Sequence, residues 1–351
     1  MPEHMCPNKY IVHGYRPSPS SWNYCLKSLF YPTNETLNVW SHAIPLFAMA
    51  KHYWNFACLY PDYLTSPIFY PYWVFVVGVV AVFSGSCFAH LFQCKSPAFF
   101  NACFCYDYAG IAIYGAGTAV AVGLYLCPYS CTGLSPDSSS WIFDVVVVVD
   151  PSEFVRGHFP AAICRAPVVV VHPLAVVCLC LSLYPGVPTT LSYILRIITW
   201  IVYVLVAFLP CFYKYTLVPD SASAMQCRLG NDVASIITFA IMIICFIISA
   251  LLQGTKYPES FYPGKFDIIG HSHQIFHLLF AIVVFLQTLL IEWSLTEWIV
   301  LLQTGLIQPE TLQITLFKAV VIPTISALLS GAAGIRYSND LRRLKCHTKA
   351  E

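Results

Sequence analysis

Eight long apolar runs constrain the fold of this chain more than any other feature of its sequence. Each is close to the length of about 20 residues that an α-helix needs to cross about 30 Å of hydrocarbon. The runs lie at residues 39–59, 69–92, 103–126, 161–184, 191–215, 233–253, 273–293 and 312–335. Only 10% of the residues are charged, against about 25% in a typical soluble domain. The sequence therefore predicts an all-α polytopic membrane protein.

The fourth run is the weakest of these predicted spans. It contains Arg165, Pro167, His172 and Pro173, and it follows a polar insert at residues 150–159. Charged side chains and prolines are costly in lipid, because they leave charges or backbone carbonyl groups without partners. Seven and eight crossings therefore both remain open at this point.

The placement of lysine and arginine predicts the orientation of the chain. With eight crossings, the two termini and three loops share one face of the membrane, and these segments hold most of the basic residues. The loops of the other face hold only Lys214 and Arg228, if Arg156 in the polar insert is set aside. Basic residues favour the cytoplasmic side, so we expect a cytoplasmic head at residues 1–38, a membrane domain at residues 39–335 and a basic cytoplasmic tail at residues 336–351.

Two histidines at the start of the seventh run indicate a metal site. His273 and His277 are four residues apart, so on a helix they share one face. Two imidazoles at that spacing can hold Zn²⁺ from a single helix. A purely structural interpretation, in which the histidines only form hydrogen bonds at a helix end, is the alternative.

A second half-site lies at the end of the second run. Ser86 and His90 are again four residues apart, and Asp107 follows near the start of the third run. The predicted topology brings both half-sites to one depth of the cytoplasmic leaflet. Three histidines with a nearby carboxylate resemble a catalytic zinc site, in which Asp107 either binds the metal or holds its water.

Four polar residues at the start of the first run lie at the same depth. Asn34, Asn38 and His42 recur at four-residue spacing, and Glu35 lies beside them. They are candidates for the mouth of the site. The alternative is that they cap the helix and hydrogen-bond to its neighbours.

Three motifs in this order resemble the progestin and adipoQ receptor family, and more closely its membrane progestin receptor branch. They lie at residues 34–42, at residues 86–90 with Asp107, and at residues 266–277. The resemblance covers most of residues 14–126 and 191–335. Residues 134–190 depart from the family pattern, and Val145 to Pro173 match no feature of it.

The resemblance implies a seven-helix core like that of adiponectin receptors, with an eighth C-terminal helix, around an intramembrane Zn²⁺. It makes His90, His273 and His277 the zinc ligands and places Asp107 and Ser86 beside the zinc-bound water. It further implies a plasma-membrane receptor for a steroid or other lipid ligand, with rapid non-genomic signalling through G proteins. The family is also similar to membrane ceramidases, so a zinc-dependent lipid amide hydrolase is the alternative function. A net charge of +1 gives no reason to expect nucleic acid as a partner.

Overall fold

The protein is described by a computed structural model that covers residues 8–126 and 233–305, with isolated positions at 178, 187–188, 190–191, 194–195, 198–199 and 211. The continuous described stretches contain six α-helices and no β-strand. The helices are α1 (Trp22–Lys27), α2 (Thr36–Ala57), α3 (Tyr70–Phe92), α4 (Pro97–Ala121), α5 (Val233–Thr255) and α6 (Ser272–Gln303). A π-helical turn at Val122–Leu126 extends α4.

Four of these helices are long and apolar enough to cross a membrane, within the described part of the chain. The four membrane-length spans coincide with α3, α4, α5 and α6, with small differences at their ends. Helix α2 has 22 residues, which is sufficient length, but polar side chains such as Asn38, Lys51 and His52 lower its hydropathy. The multi-pass, all-helical class expected from the sequence therefore holds for this part of the chain.

Helices α3 and α4 approach each other closely because glycines remove side chains from their interface. A Cβ atom built at Gly78 of α3 would lie 2.7 Å from the Cα atom of Tyr114. A Cβ atom at Gly117 of α4 would lie 2.6 Å from the carbonyl oxygen of Val74. Small residues at helix contacts are the usual way for membrane helices to pack closely. The close approach continues at Gly85, where a Cβ atom would lie 3.1 Å from the carbonyl oxygen of Tyr106, next to the residues of the predicted half-site.

The segment before α1 is held against the loop between α5 and α6. The side chain of Asn8 donates a hydrogen bond to Glu259 Oε1 at 2.9 Å, and the backbone N–H of Val12 donates to Asp267 at 3.1 Å. Glu259 is fully buried, and it also accepts a hydrogen bond from the backbone N–H of Ser272 at 2.7 Å. Because Ser272 is the first residue of α6, these contacts fix the N-terminal end of that helix.

A second polar cluster joins three helices at their opposite ends. Glu292 of α6 is 4% exposed and accepts a hydrogen bond from the Tyr72 hydroxyl of α3 at 2.6 Å. Its other carboxylate oxygen lies 2.8 Å from His52 Nε2 of α2. A buried carboxylate needs partners of this kind, so the cluster ties α2, α3 and α6 together away from the predicted metal site.

The observed boundaries of α2, α3, α5 and the start of α6 agree with the predicted spans, whereas the start of α4 and the end of α6 differ. Helices α2, α3, α5 and the start of α6 begin or end within a few residues of the predicted runs. Helix α4 begins six residues earlier, at Pro97, and α6 continues ten residues further, to Gln303. Most of predicted spans 161–184 and 191–215, all of span 312–335 and the basic tail lie outside the described residues, so the number of crossings stays a prediction.

Candidate metal centre

Three histidines from two helices meet at one point of the fold. His90 from the last turn of α3 and His273 and His277 from the first two turns of α6 place one nitrogen atom each within 4.8 Å of one another. The Nε2 atoms of His90 and His273 are 3.2 Å apart. His90 and His277 are buried, and His273 is partly buried. The structure therefore brings together the three histidines that the sequence indicated as a metal site.

The ring of His90 is oriented by Glu35. His90 Nδ1 lies 2.7 Å from Glu35 Oε2, which leaves Nε2 facing His273. Asn38 Nδ2 donates to the same carboxylate oxygen at 2.8 Å. Burial alone would raise the pKa of the Glu35 carboxyl, but the hydrogen bond and charge of His90 bring the pKa well below its usual range. A carboxylate behind a metal-binding histidine commonly fixes its tautomer and raises its basicity.

Arg16 fixes the backbone of α3 at the same place. Its side chain is 3% exposed, and it donates hydrogen bonds to the carbonyl oxygen atoms of His90 and of Leu91, the latter at 2.8 Å. It also donates to the hydroxyl of Ser28 at 2.9 Å. Arginine near a helix C-terminus satisfies carbonyl groups that have no partner inside the helix. Arg16 therefore links the N-terminal segment to the turn that carries His90.

His277 is oriented by helix α2 in the same manner. Its Nδ1 atom lies 3.1 Å from the carbonyl oxygen of Asn38 and 3.1 Å from the hydroxyl of Ser41. A hydrogen bond from Nδ1–H to the carbonyl leaves Nε2 as the free ligand atom. The first turns of α2 and the residue before it, Glu35, thus supply groups that orient His277 and His90.

Several buried polar atoms near the histidines lack hydrogen-bond partners in the described part of the chain. They include Asn34 Oδ1, Asn38 Oδ1, both ring nitrogen atoms of His42, and His271 Nδ1. Burial lowers the pKa of His271, and the hydrogen bond from His271 to the Asn34 carbonyl acts in the opposite direction. Buried polar atoms without partners are rare and need an explanation. The predicted role of Asn34, Glu35, Asn38 and His42 at the mouth of the site stays a prediction.

Ser86 and Asp107 lie beside the histidines but outside the group of three. Ser86 precedes His90 by one turn on α3 and is buried. A Cβ atom at Gly85, the residue before Ser86, would lie 3.5 Å from the Cα atom of Asp107, which places Asp107 opposite Gly85 in the α3–α4 interface. Asp107 does not belong to the set of ligand atoms within 4.8 Å among the described residues. This arrangement fits a carboxylate near the metal better than a direct ligand.

The donor set fits zinc. Three imidazoles, two of them with Nδ1 engaged and Nε2 available, match the ligands of a catalytic-type Zn²⁺ that keeps an open fourth position. The sequence predicted His273 and His277 from their helical spacing, and the predicted topology added His90 at the same depth. It did not predict Arg16, although the residue stands in the polar stretch Gly14–Pro17, and it gave Glu35 no role in orienting His90.

Comparison with known proteins shows which proteins this chain is similar to. A family described as haemolysin-III related matches residues 30–288, a range that contains all three histidines. The chain is 27% identical over 295 residues to a Mus musculus protein named membrane progestin receptor beta, covering 81% of this chain and 72% of that protein. It is 29% identical over 273 residues to Mus musculus membrane progestin receptor delta, covering 76% and 69%. Danio rerio membrane progestin receptor gamma-A is 26% identical over 309 residues, covering 82% and 80%.

Proposed function

Because the chain belongs to the haemolysin-III-related family, which is the progestin and adipoQ receptor family, we propose that it is a plasma-membrane steroid receptor built around an intramembrane zinc site. Relatives that cover most of its length are named membrane progestin receptors. The proposed ligand class is therefore a progestin, and signalling through G proteins belongs to the same proposal.

The observation that carries the proposal is the buried group His90, His273 and His277. Helices α3 and α6 supply the ligands, while Glu35 and the Asn38 carbonyl on the α2 side orient two of them. Such partners typically change metal affinity by about 10- to 100-fold when they are removed. Bound zinc would act as a Lewis acid that polarises an oxygen atom at its open position. The chain itself holds the imidazoles in the required tautomers and keeps the centre largely away from water.

A metal at this position would also hold the helices together. His90 lies on α3, and His273 and His277 lie on α6, so one ion would connect helices that are distant in the chain. Because the site exists only in the folded protein, the free energy of metal binding stabilises the folded state. Ligand binding beside such a centre would then act on the packing of α2, α3 and α6 together, which gives a receptor a way to change shape at its cytoplasmic end.

The test is direct binding of progesterone to purified protein in lipid nanodiscs. We expect saturable binding of about one molecule per chain, competed by other progestins and not by cholesterol. The variant Asp62→Asn in the exposed loop after α2 is the control for handling of the protein. Zinc-loaded, folded protein that shows no saturable progesterone binding would contradict the receptor proposal.

A zinc-dependent lipid amide hydrolase is the second candidate, and one observation favours it. A Cβ atom at Gly85, the residue before Ser86, would lie 3.5 Å from the Cα atom of Asp107, and a carboxylate near the metal could accept a proton from a nucleophilic water. Release of fatty acid from a ceramide by the nanodisc sample measures this activity. Loss of that release in Asp107→Asn, with zinc and progesterone binding unchanged, would support hydrolysis as a separate activity.

A further inference from the structure

His42 is a buried imidazole whose ring nitrogen atoms have no hydrogen-bond partner of normal geometry among the described residues. Its side chain is 3% exposed, and neither Nδ1 nor Nε2 makes a hydrogen bond of normal geometry, although the backbone of His277 contributes a polar interaction with the ring. A neutral imidazole carries one N–H donor and one acceptor nitrogen. Both are therefore unsatisfied, whichever tautomer is present.

The position of His42 connects it to the metal centre. Its ring stacks on the ring of His277, with centroids 3.9 Å apart and planes inclined by 13°. Phe83 contacts it edge-on at 5.0 Å, and Phe280 lies 6.1 Å away. The surroundings of His42 are thus one metal-binding ring and two apolar rings.

Packing alone does not account for a histidine at this position. A phenylalanine could make the same ring contacts without burying two unsatisfied nitrogen atoms, and an unsatisfied buried polar atom is destabilising. Polar atoms kept at such a cost commonly serve a ligand or another function. The ring contacts of His42 with Phe83 and Phe280 are apolar, and apolar side chains with a few polar groups are the usual surroundings of a small apolar ligand.

Among the unpaired buried atoms of this region, His42 is distinguished by its N–H group. Asn34 Oδ1 and Asn38 Oδ1 are acceptors. His271 Nε2 faces the carbonyl oxygen of Asn34 at 3.2 Å, so Nε2 carries the proton and the unpaired Nδ1 is an acceptor. A carbonyl oxygen of a ligand needs a donor, and His42 offers one in this set.

We propose that His42 donates a hydrogen bond to a carbonyl oxygen of the bound apolar ligand, next to the metal centre. The proposal rests on the proposed function for the ligand class, a ketosteroid. His42 is a ligand-positioning residue that acts beside His277 without binding the metal. It sets the orientation of the ligand by selecting the end that carries the carbonyl group.

The test is a double-mutant cycle between this side chain and the ligand carbonyl. Progesterone and two analogues, each lacking one of its carbonyl groups, are titrated into wild type and His42→Phe in nanodiscs. Zinc content and the unfolding midpoint are measured on the same samples. His42→Gln retains a donor, His42→Leu removes both nitrogen atoms without adding bulk, and His13→Phe applies the same change at an exposed histidine.

We expect His42→Phe to keep its zinc and an equal or higher unfolding midpoint while binding progesterone about tenfold more weakly. The analogue that lacks the carbonyl group bound by His42 should bind wild type about tenfold more weakly than progesterone. Its affinity should not fall further in His42→Phe. His42→Gln should recover part of the affinity, and His13→Phe should match wild type. If phenylalanine prevents folding, His42→Leu carries the same cycle.

Two results with His42→Phe would overturn the assignment. One is wild-type progesterone affinity, and the other is loss of zinc, which would make His42 a support of the metal. If zinc-loaded wild type binds no progesterone, the proposed receptor function fails, and the cycle is repeated with a ceramide and its analogue lacking the amide carbonyl. A carbonyl-dependent effect of His42 there would retain this inference. Binding of neither lipid would overturn it as well.

Discussion

Replacement of Glu35 by glutamine tests whether the carboxylate behind His90 supports metal binding. Glu35 Oε2 lies 2.7 Å from His90 Nδ1 and accepts a second hydrogen bond from Asn38. Its side chain is 18% exposed, so solvent screens the interaction only in part. Glutamine keeps the shape and one acceptor oxygen, and it removes the negative charge.

The expected magnitude follows from the change in hydrogen-bond type. A hydrogen bond to a charged group contributes about 1.5–3 kcal/mol, and a neutral one contributes about 0.5–1.5 kcal/mol. The loss is therefore about 1–1.5 kcal/mol, which corresponds to about five- to tenfold weaker zinc binding. Glu35→Ala removes the acceptor altogether and should lie nearer the upper end of the 10- to 100-fold range typical for such partners.

Competition with a fluorescent zinc chelator, on protein in detergent or nanodiscs, measures the affinity. Asp62→Asn makes the same chemical change in an exposed loop at the other end of α2 and should leave the affinity unchanged. Zinc affinity of Glu35→Gln within twofold of wild type, in folded protein, would refute the assignment of Glu35 to orienting the metal ligand.

Two further predictions concern the helix packing. Gly117→Ala should destabilise the protein by about 1–3 kcal/mol, because its Cβ atom would overlap backbone atoms of α3 and overpacking costs this much. The control Gly254→Ala, with no atom within 4 Å of the added Cβ, should leave the unfolding midpoint unchanged or raise it. Equal midpoints for the two variants would contradict the packing argument. Tyr72→Phe should lower the free energy of unfolding by about 1–3 kcal/mol, because it leaves Glu292 Oε1 without its donor. Chemical or thermal unfolding measures this loss. The zinc content should stay unchanged, because the cluster is at the far end of the helices.

The parts of the fold that the sequence predicts are those that depend on local pattern. Apolar runs of membrane length predicted α3, α5 and the start of α6 to within a few residues, because hydrophobic length determines where a helix crosses lipid. The apolar run did not predict the early start of α4, because Ser96 caps the helix through its hydroxyl before the run begins. Helix α6 continues past the predicted end because Glu292, which polarity alone places at a helix end, is satisfied by Tyr72 and His52 inside the bundle.

The site was predictable to the extent that it depends on helical spacing. His273 and His277 share a face because they are four residues apart, and the topology placed His90 at the same depth. The contacts of Glu35 and Arg16 depend on how a loop and the N-terminal segment fold back over α3, and no local pattern encodes that path. The unpaired nitrogen atoms of His42 likewise become visible only when every neighbour is in place.

The zinc content of purified, folded protein tests the central claim most directly. We expect about one equivalent of zinc per chain in wild type and none in the double variant His273→Ala/His277→Ala, with His52→Ala at the far end keeping its zinc. Wild-type protein that is correctly folded and contains no zinc, even after addition of the metal, would contradict the metal centre and both functions that depend on it.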